Sequence, residues 1–308
     1  MEAKRTDVTL VICSHNPRPA YLERVLTSVR EQSLSKDCWE LIIVDNLSSV
    51  PLAPSWDLSW HPHGRHVLES ELGLSAARRR AILEASSDLL VFVDDDNVLD
   101  LTYLARAVEI KHAWPQLGVW GSGATIPEFE VPPTDYLKPL LHYLAIRDVK
   151  TPRWTNVFPS FEATPWGAGL CVRSSVAAAY RQYCEQSSIQ ITGRRGQMVV
   201  SGEDLEICYL ACKSGYGMGI FPELRLTHLI PKERLKEDYL LKIVEAAAVA
   251  NHLIDYKLEG KVPRSPFSAL GSMYVLKNLL LHRGIDRRES LAYARAQIKA
   301  REIIAASA

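Results

Sequence analysis

The stretch "DLLVFVDDDN", Asp88 to Asn97, runs five apolar residues, Leu89 to Val93, straight into three consecutive aspartates, Asp94, Asp95 and Asp96. The run is short, lacks polar alternation and holds two valines and a phenylalanine, which suits a strand buried on both faces of a parallel sheet better than a helix. The acids then stand at the carboxyl edge of that sheet, where open α/β folds bind ligands. Two carboxylates about 4 Å apart repel by roughly 1 kcal/mol in water and about 4 kcal/mol at an effective dielectric of 20, so three together are costly without a positive partner. A divalent cation would serve, since Mg2+ and Mn2+ prefer oxygen ligands and commonly combine one or two carboxylates with substrate phosphates. The alternative is a solvated Asp-rich turn in which Asn97 caps the next helix.

The flanking sequence repeats the design. "VTLVIC", Val8 to Cys13, reads as a first strand, followed by the turn "SHNP" and a helix from about Pro19 to Ser33 with Leu22, Val25, Leu26 and Val29 on one face. "ELIIVDN" is another apolar run ending in Asp45 and Asn46; "HVLES" and the helical "GLSAARRRAILEA" lead into the stretch quoted first. Strand and helix alternating at this spacing predict βαβ units and a parallel sheet, with Ser14, Asp45 and Asp94 gathered on one edge. Downstream, "YLARAVEIKHAW" reads as a helix, "GVWGSGATI" as a strand, "WGAGLCVRSSV" as a glycine-punctuated turn and strand, and "GIFPELRLTHL" as a last strand. Pro127 to Pro165 is rich in proline and aromatics with little periodicity, which points to a lid or binding surface. From Pro231 the chain reads as helical, with breaks near Gly260 to Pro266 and at Gly284.

Lysine plus arginine and aspartate plus glutamate both number 36, so no global charge points to nucleic acid. The six cysteines (Cys13, Cys38, Cys171, Cys184, Cys208, Cys212) form no CxxC pair, which predicts a reducing, cytoplasmic setting without a zinc site. "MEAKRTDVTL" lacks the apolar core of a signal peptide, and no window approaches eighteen uncharged apolar residues, so neither secretion nor a membrane span is expected.

Nucleotide chemistry narrows by elimination. The sole Gly-Lys pair, Gly260-Lys261, lacks the rest of a GxxxxGK[ST] loop, and the first strand is followed by "SHNPRP" rather than GxGxxG. A nucleotidyltransferase would want a glycine-rich loop at that same place. A nucleoside diphosphate held through a metal on carboxylates needs no glycine cradle and survives.

In order, "VTLVICSHNPRPAYLERVLTSVREQS", "ELIIVDN", "GLSAARRRAI", "LLVFVDDDNVLD", "WGAGLCVRSS" and "SGEDLEICYLACKSGY" resemble the inverting GT-A glycosyltransferases of family 2, over roughly residues 7 to 230. The resemblance implies an α/β fold, a GT-A Rossmann-like mixed sheet flanked by helices with a helical C-terminal extension. It implies a catalytic domain over 1–230, with a nucleotide-sugar half at about 1–125 and an acceptor half at about 126–230, and an extension over 231–308. It further implies a nucleotide-sugar donor, with a UDP-sugar foremost, a divalent metal (Mn2+ or Mg2+), and inverting transfer to a sugar, lipid-linked or small-molecule acceptor, as in surface polysaccharide or glycolipid assembly.

Residue by residue, the resemblance puts Ser14, His15 and Asn16 at the base, with His15 where a tyrosine is common, and Asp45 on the uracil. Arg78 matches an arginine near the nucleotide, while Arg79 stands where the family has asparagine. Asp94 fills the outer position of a D-x-D pattern, Asp95 faces ribose or metal, and Asp96 ligates the metal, with His228 as a further ligand. Asp204 is the base, with Glu203 beside it. Burial or Glu203 must raise its basicity, because a helix N-terminus keeps a carboxylate ionised. Trp166 offers an aromatic face to a sugar, and Gly167 and Gly169 would admit backbone close to the donor.

Plainer alternatives accompany these roles: a helix cap for "GED", a hydrogen-bonded structural histidine for His228, and simple packing for Trp166. A non-catalytic nucleotide-sugar-binding or scaffold module is the competing function; an intact Asp96 and Asp204 argue against it. The tail after Gly271, with seven lysines and arginines against three acids behind "MYVLKNLLLH", predicts either peripheral contact with an anionic membrane or a solvated helix packed on the catalytic domain.

Overall fold

The computed structural model describes residues 6–187, 189, 193–195, 198–200 and 202–307. In chain order it begins with β1 (Val8–Ser14), α1 (Pro19–Arg30), β2 (Trp39–Asp45), the single turn α2 (Leu52–Ser55), β3 (Gly64–Leu68) and α3 (Leu74–Glu84). The acid-tipped run is β4 (Leu89–Asp94), followed by β5 (Asn97–Leu99), α4 (Tyr103–Ala113) and the long β6 (Leu117–Phe129). Two short strands, β7 (Arg147–Asp148) and β8 (Arg153–Thr155), precede β9 (Leu170–Arg173) and α5 (Ser174–Gln186). A small ribbon, β10 (Gly193–Arg195) with β11 (Met198–Val200), leads to α6 (Glu203–Lys213), β12 (Gly217–Ile230), α7 (Glu237–Glu259), α8 (Ala269–Leu281) and α9 (Gly284–Ser307).

The main sheet has the order β3-β2-β1-β4-β9-β6-β12-β5, with β7 on β6 and β8 on β12. The first four strands are parallel, as the βαβ spacing predicts; β9 runs antiparallel to both β4 and β6, so the sheet is mixed. Both faces are covered. Leu10, Ile12, Leu41, Ile43 and Val91 pack with α1 and α4 on one side, while Val11, Ile42, Val44 and Phe92 pack with α3, α5 and α6 on the other. Alternate residues of one strand point to opposite faces, so a strand with two covered faces is apolar along most of its length, and the buried polar pair Thr9 and Glu40 is joined by a hydrogen bond. All six cysteines are free thiols, and burial pushes Cys13 up to about 12, so it packs as a neutral side chain.

The chain forms two compact units. The first comprises Met1–Glu128, Ile146–Glu185 and Glu203–Leu229 and holds nearly all of the main sheet; the second comprises Phe129–Ala145, Gln186–Gly202 and Ile230–Ala308. In the second unit α7 packs along α9, where Ala292, Ala296, Ala300 and Ile304 recur every four residues and are buried against a helix contributing Val244, Val249 and Leu253. Gly260 ends α7 in the left-handed conformation, φ 66°, that a glycine supplies without strain. Among the described residues, no helix is long and apolar enough to cross a membrane.

The proline-rich stretch is more ordered than its lack of periodicity suggests. Residues Asp135–Leu144 form a 3-10 helical segment, and β7 and β8 are held by partners on β6 and β12. Strands of two or three residues fixed by distant partners leave no local pattern to read.

Candidate active site

Parallel register builds the site's edge. Ser14 of β1 lies level with Asp45 of β2, and Cys13 level with Asp94 of β4, so the last residues of three strands come together. Ser14 Oγ donates to Asp95 Oδ2 at 2.5 Å, tying the first strand's end to the second aspartate. The loops after β1 and β2 are stitched to each other. His15 Nδ1 donates to the Asn46 carbonyl at 2.7 Å, and Asn16 Nδ2 donates to His15 Nε2 at 3.0 Å, which fixes the ring and its tautomer. Asn16, left-handed at φ 51°, accepts from the Ser49 amide and hydroxyl at 2.8 Å each. Asp45 is buried and spends both oxygens on backbone amides, those of Ser48 (2.9 Å) and Leu52 (3.0 Å), so it shapes the loop after β2.

Asn46, named in the sequence only as the end of an apolar run, has a role that the sequence reading did not give it. Its side-chain amide donates to the carbonyls of Glu69 and Glu71, and its oxygen accepts from the Gly73 amide at 2.7 Å, locking the entry to α3. The signal was present in the sequence: Asp45-Asn46 and Asp96-Asn97 are the same dipeptide after two apolar strands.

Arg78, one turn into α3, is 2% exposed and stands 3.2 Å from Glu203 and 3.8 Å from Asp94, over the Phe92 ring. Burial opposes its charge, but Glu203 and then Asp94 outweigh that and raise its pKa. Arg79 instead turns to Glu71 at 3.0 Å, near the surface.

Glu203 and Asp204 open α6, whose first turn is acidic as its dipole favours; Ser201 lies outside the described residues. Glu203 is buried in its ion pair, whereas Asp204 keeps part of its surface accessible. The Asp204 carboxylate accepts from the amides of Gly167 (3.0 Å) and Leu205 (2.9 Å), so it does serve the helix end. Burial nevertheless pushes its pKa up to about 6, and the charge of Glu203 adds to the rise, against the lowering effect of Arg78 and the two amides. Both sources expected for its basicity are therefore present.

The remaining aspartate lies apart from the other two. Asp96 is buried beside His228, with Oδ2 3.7 Å from Nε2. Strand pairing sets that proximity, because His228 of β12 is the register partner of Asn97 on β5. Asn97 begins a strand and does not cap α4, and Asp96 is buried, whereas Asp94 and Asp95 stay partly exposed at the turn. Its Nδ2 donates to Asp96 Oδ1 at 3.0 Å, while its own buried Oδ1 has no protein partner. A carboxylate and an imidazole facing each other beyond hydrogen-bond length, next to an unsatisfied oxygen, fit a hard divalent cation. Among the described residues no cluster of three or more histidine, cysteine, aspartate or glutamate side chains is assembled, so any such ion would complete its shell from phosphate and water.

The glycines have an internal explanation. A Cβ on Gly167 would come 2.7 Å from an Arg78 terminal nitrogen, and one on Gly169, at φ +73°, would come 2.2 Å from the Tyr103 hydroxyl, which donates to the Gly169 carbonyl at 2.6 Å. They make room for the arginine and the tyrosine of the fold itself. Trp166, half-buried, carries the Arg147 guanidinium 3.6 Å over its ring, with Arg147 donating to the Thr164 carbonyl at 3.0 Å. Burial lowers the Arg147 pKa to about 10. Nothing in the sequence pairs those two residues: Arg147 lies in the stretch without periodicity and Trp166 just beyond its end.

The profile of the family described as "Glycosyl transferase family 2" matches residues 9–183, more than half of the 308 residues. The chain belongs to glycosyl transferase family 2. No curated protein matches the sequence. Among solved structures, the Pyrobaculum calidifontis mannosyltransferase PcManGT, in complex with GDP-Man and Mn2+, is similar with a TM-score of 0.56 and 18% identity over 99% of this chain and 74% of its own. The S. aureus TarS 1–349 complex with UDP-GlcNAc is similar with a TM-score of 0.53 and 14% identity over 96% of this chain and 92% of its own. At these identities the likeness speaks to the fold: this family 2 glycosyltransferase has the GT-A mixed sheet of those enzymes, with a helical region at its C-terminus.

Proposed function

We propose that the chain moves a sugar from a nucleoside-diphosphate sugar, with uridine as the first base to test, to an acceptor hydroxyl with inversion at the anomeric carbon. The observation that carries this reading is Arg78. A single buried guanidinium reaches both Asp94, on the acidic edge of β4, and Glu203, next to the carboxylate of Asp204, so donor-side and acceptor-side groups share one site.

In this reading Ser14, His15, Asn16 and the loop organised by Asp45 receive the base, and Asp94 and Asp95 line the path to ribose and diphosphate. Asp96 and His228 would hold Mn2+ or Mg2+, which when bound neutralises the leaving diphosphate as a Lewis acid. The Mn2+ present with GDP-Man in the Pyrobaculum enzyme supports the use of a divalent metal. Asp204 accepts the acceptor's proton as its oxygen attacks the anomeric carbon from the face opposite the diphosphate, giving inversion; a pKa near 6 leaves it ionised at neutral pH yet more basic than a free carboxylate. Trp166, braced by Arg147, offers a ring face to a sugar, and Gly167 positions Asp204 through its amide. The donor half is assigned to about residues 1–125 and the acceptor half to about 126–230, with 231–308 an extension.

The test is calorimetric titration with UDP, GDP and dTDP, with and without Mn2+, on wild type and Asp96→Ala. Metal-dependent binding of one diphosphate, lost in the variant, supports the reading. Equal binding with and without metal sinks the metal assignment, and binding of no diphosphate removes the donor class.

A further inference from the structure

Helix α8 leaves a large apolar face exposed. Phe267, just before it, and Leu270, Met273, Leu276, Leu280 and Leu281 on it are between 58% and 79% exposed. At 100° per residue Leu270, Met273, Leu276, Leu280 and Leu281 fall on one broad face. The opposite side carries Gly271, Val275, Asn278 and Leu279, which are less exposed, and meets α9 across a cavity of about 240 Å³ lined by Asn278, His282, Asp286, Glu289, Ser290 and Tyr293 among others. Val275 and Leu279 thus turn inward beside Asn278, while five other apolar side chains of the same helix stay outward. A contiguous apolar face of this kind marks a surface that another phase or molecule covers.

The charges around it say which. From Gly260 to Ile285 the chain has Lys261, Arg264, Lys277 and Arg283 and no acidic residue. Arg264, Lys277 and Arg283 are exposed, and Lys277 projects from within the apolar face, between the directions of Met273 and Leu270. Against a second copy of this face Lys277 would be buried among leucines with no carboxylate in the segment to meet it. At a bilayer its stem lies along acyl chains while its ammonium reaches lipid phosphate. Of the basic residues farther along α9, Arg288 and Arg295 are turned to Glu237 and Glu245 of α7 and Arg301 donates to the Pro263 carbonyl.

We infer that α8 lies flat in the interface of an anionic membrane, with Phe267, Leu270, Met273, Leu276 and Leu280 in the acyl boundary and Arg264, Lys277 and Arg283 on the headgroups. The inference stands apart from the transfer chemistry and from the choice of donor.

The experiment is flotation of the full chain with phosphatidylcholine vesicles with and without phosphatidylglycerol, at low and high salt. Wild type should float with phosphatidylglycerol at low salt and lose binding at high salt. Leu276→Glu/Leu280→Glu should lower the partition coefficient by more than about tenfold, and Lys277→Gln by about fivefold. Unchanged circular dichroism and nucleotide binding would show that both variants remain folded; α8 being exposed, they should. Failure of wild type to float with the anionic vesicles, or flotation indifferent to both variants, would overturn the inference. So would light scattering that finds a dimer broken by Leu276→Glu/Leu280→Glu, with no vesicle binding, since the face would then belong to a second copy.

Discussion

Replacing Arg78 by methionine removes the guanidinium that faces both Glu203 and Asp94. Its distance to Glu203 is 3.2 Å and both side chains are at most 3% exposed, so solvent screens the pair little. At an effective dielectric of 20 that separation corresponds to an attraction of about 5 kcal/mol. The Asp94 contact is longer, 3.8 Å, and the Asp94 side chain is 37% exposed, so screening holds its share to at most about 1 kcal/mol. Methionine retains the packing against Phe92 but leaves Glu203 charged and buried without its counter-ion, a situation that costs about 3–5 kcal/mol.

Against a total stability of roughly 5–15 kcal/mol, the loss should appear as a large drop in the urea midpoint with the slope unchanged. Glu203→Gln alone should cost less, because Arg78 keeps Asp94 and the Gly167 carbonyl, 3.4 Å away. The double variant Arg78→Met/Glu203→Gln removes both charges and should recover about 2–3 kcal/mol relative to Arg78→Met. If Arg78→Met loses less than about 1 kcal/mol, or if the double variant is no more stable than Arg78→Met, the ion pair does not hold α3 to α6 as argued.

Asp204→Asn should keep donor affinity while lowering kcat/KM by about 10²–10⁴-fold. In wild type the base must be ionised; with its pKa raised to about 6, kcat/KM should fall about tenfold per pH unit below 6 and level off above it, whereas an ordinary carboxylate would place that limb near 4. His228→Ala and Asp96→Ala should each weaken Mn2+ binding, read by calorimetry with UDP present, by at least about tenfold; Asp95→Asn, whose side chain is taken up by Ser14, should weaken it less. Gly169→Ala places a Cβ at φ +73° against the Tyr103 hydroxyl and should cost about 3 kcal/mol by urea unfolding. Adding Tyr103→Phe should return part of that loss, and no recovery would mean that backbone strain alone sets the cost.

What the sequence made legible follows from which interactions are local. β1, β2 and β4 are apolar runs because both faces of the sheet are covered, and their polar termini follow from the common edge on which they stop. β5 escaped because it is three residues long and exists through its pairing with β12, and Asn97 consequently looked like a helix cap. The antiparallel placement of β9 between β4 and β6 is a matter of chain return, which periodicity does not encode. In the site, residues at the ends of apolar runs could be named, whereas Arg147 on Trp166 and Tyr103 on Gly169 join segments with no sequence relation. The glycines of "WGAG" were visible, but their reason lay in the side chains packed against them.

The three aspartates that pose the question of charge resolve into three separate attachments. Residues leaving a strand alternate in direction, so neighbours in sequence need not share a partner. Asp94 faces Arg78, Asp95 accepts from Ser14, and Asp96 lies between Asn97 and His228. Their mutual repulsion is therefore answered in large part by the fold, and the triplet's charge is no longer the argument for a cation. The argument passes to Asp96 and His228, held 3.7 Å apart by the pairing of β5 with β12. Neutralising Asp94 or Asp95 examines how the edge is held together, whereas neutralising Asp96 examines whether that edge holds a metal.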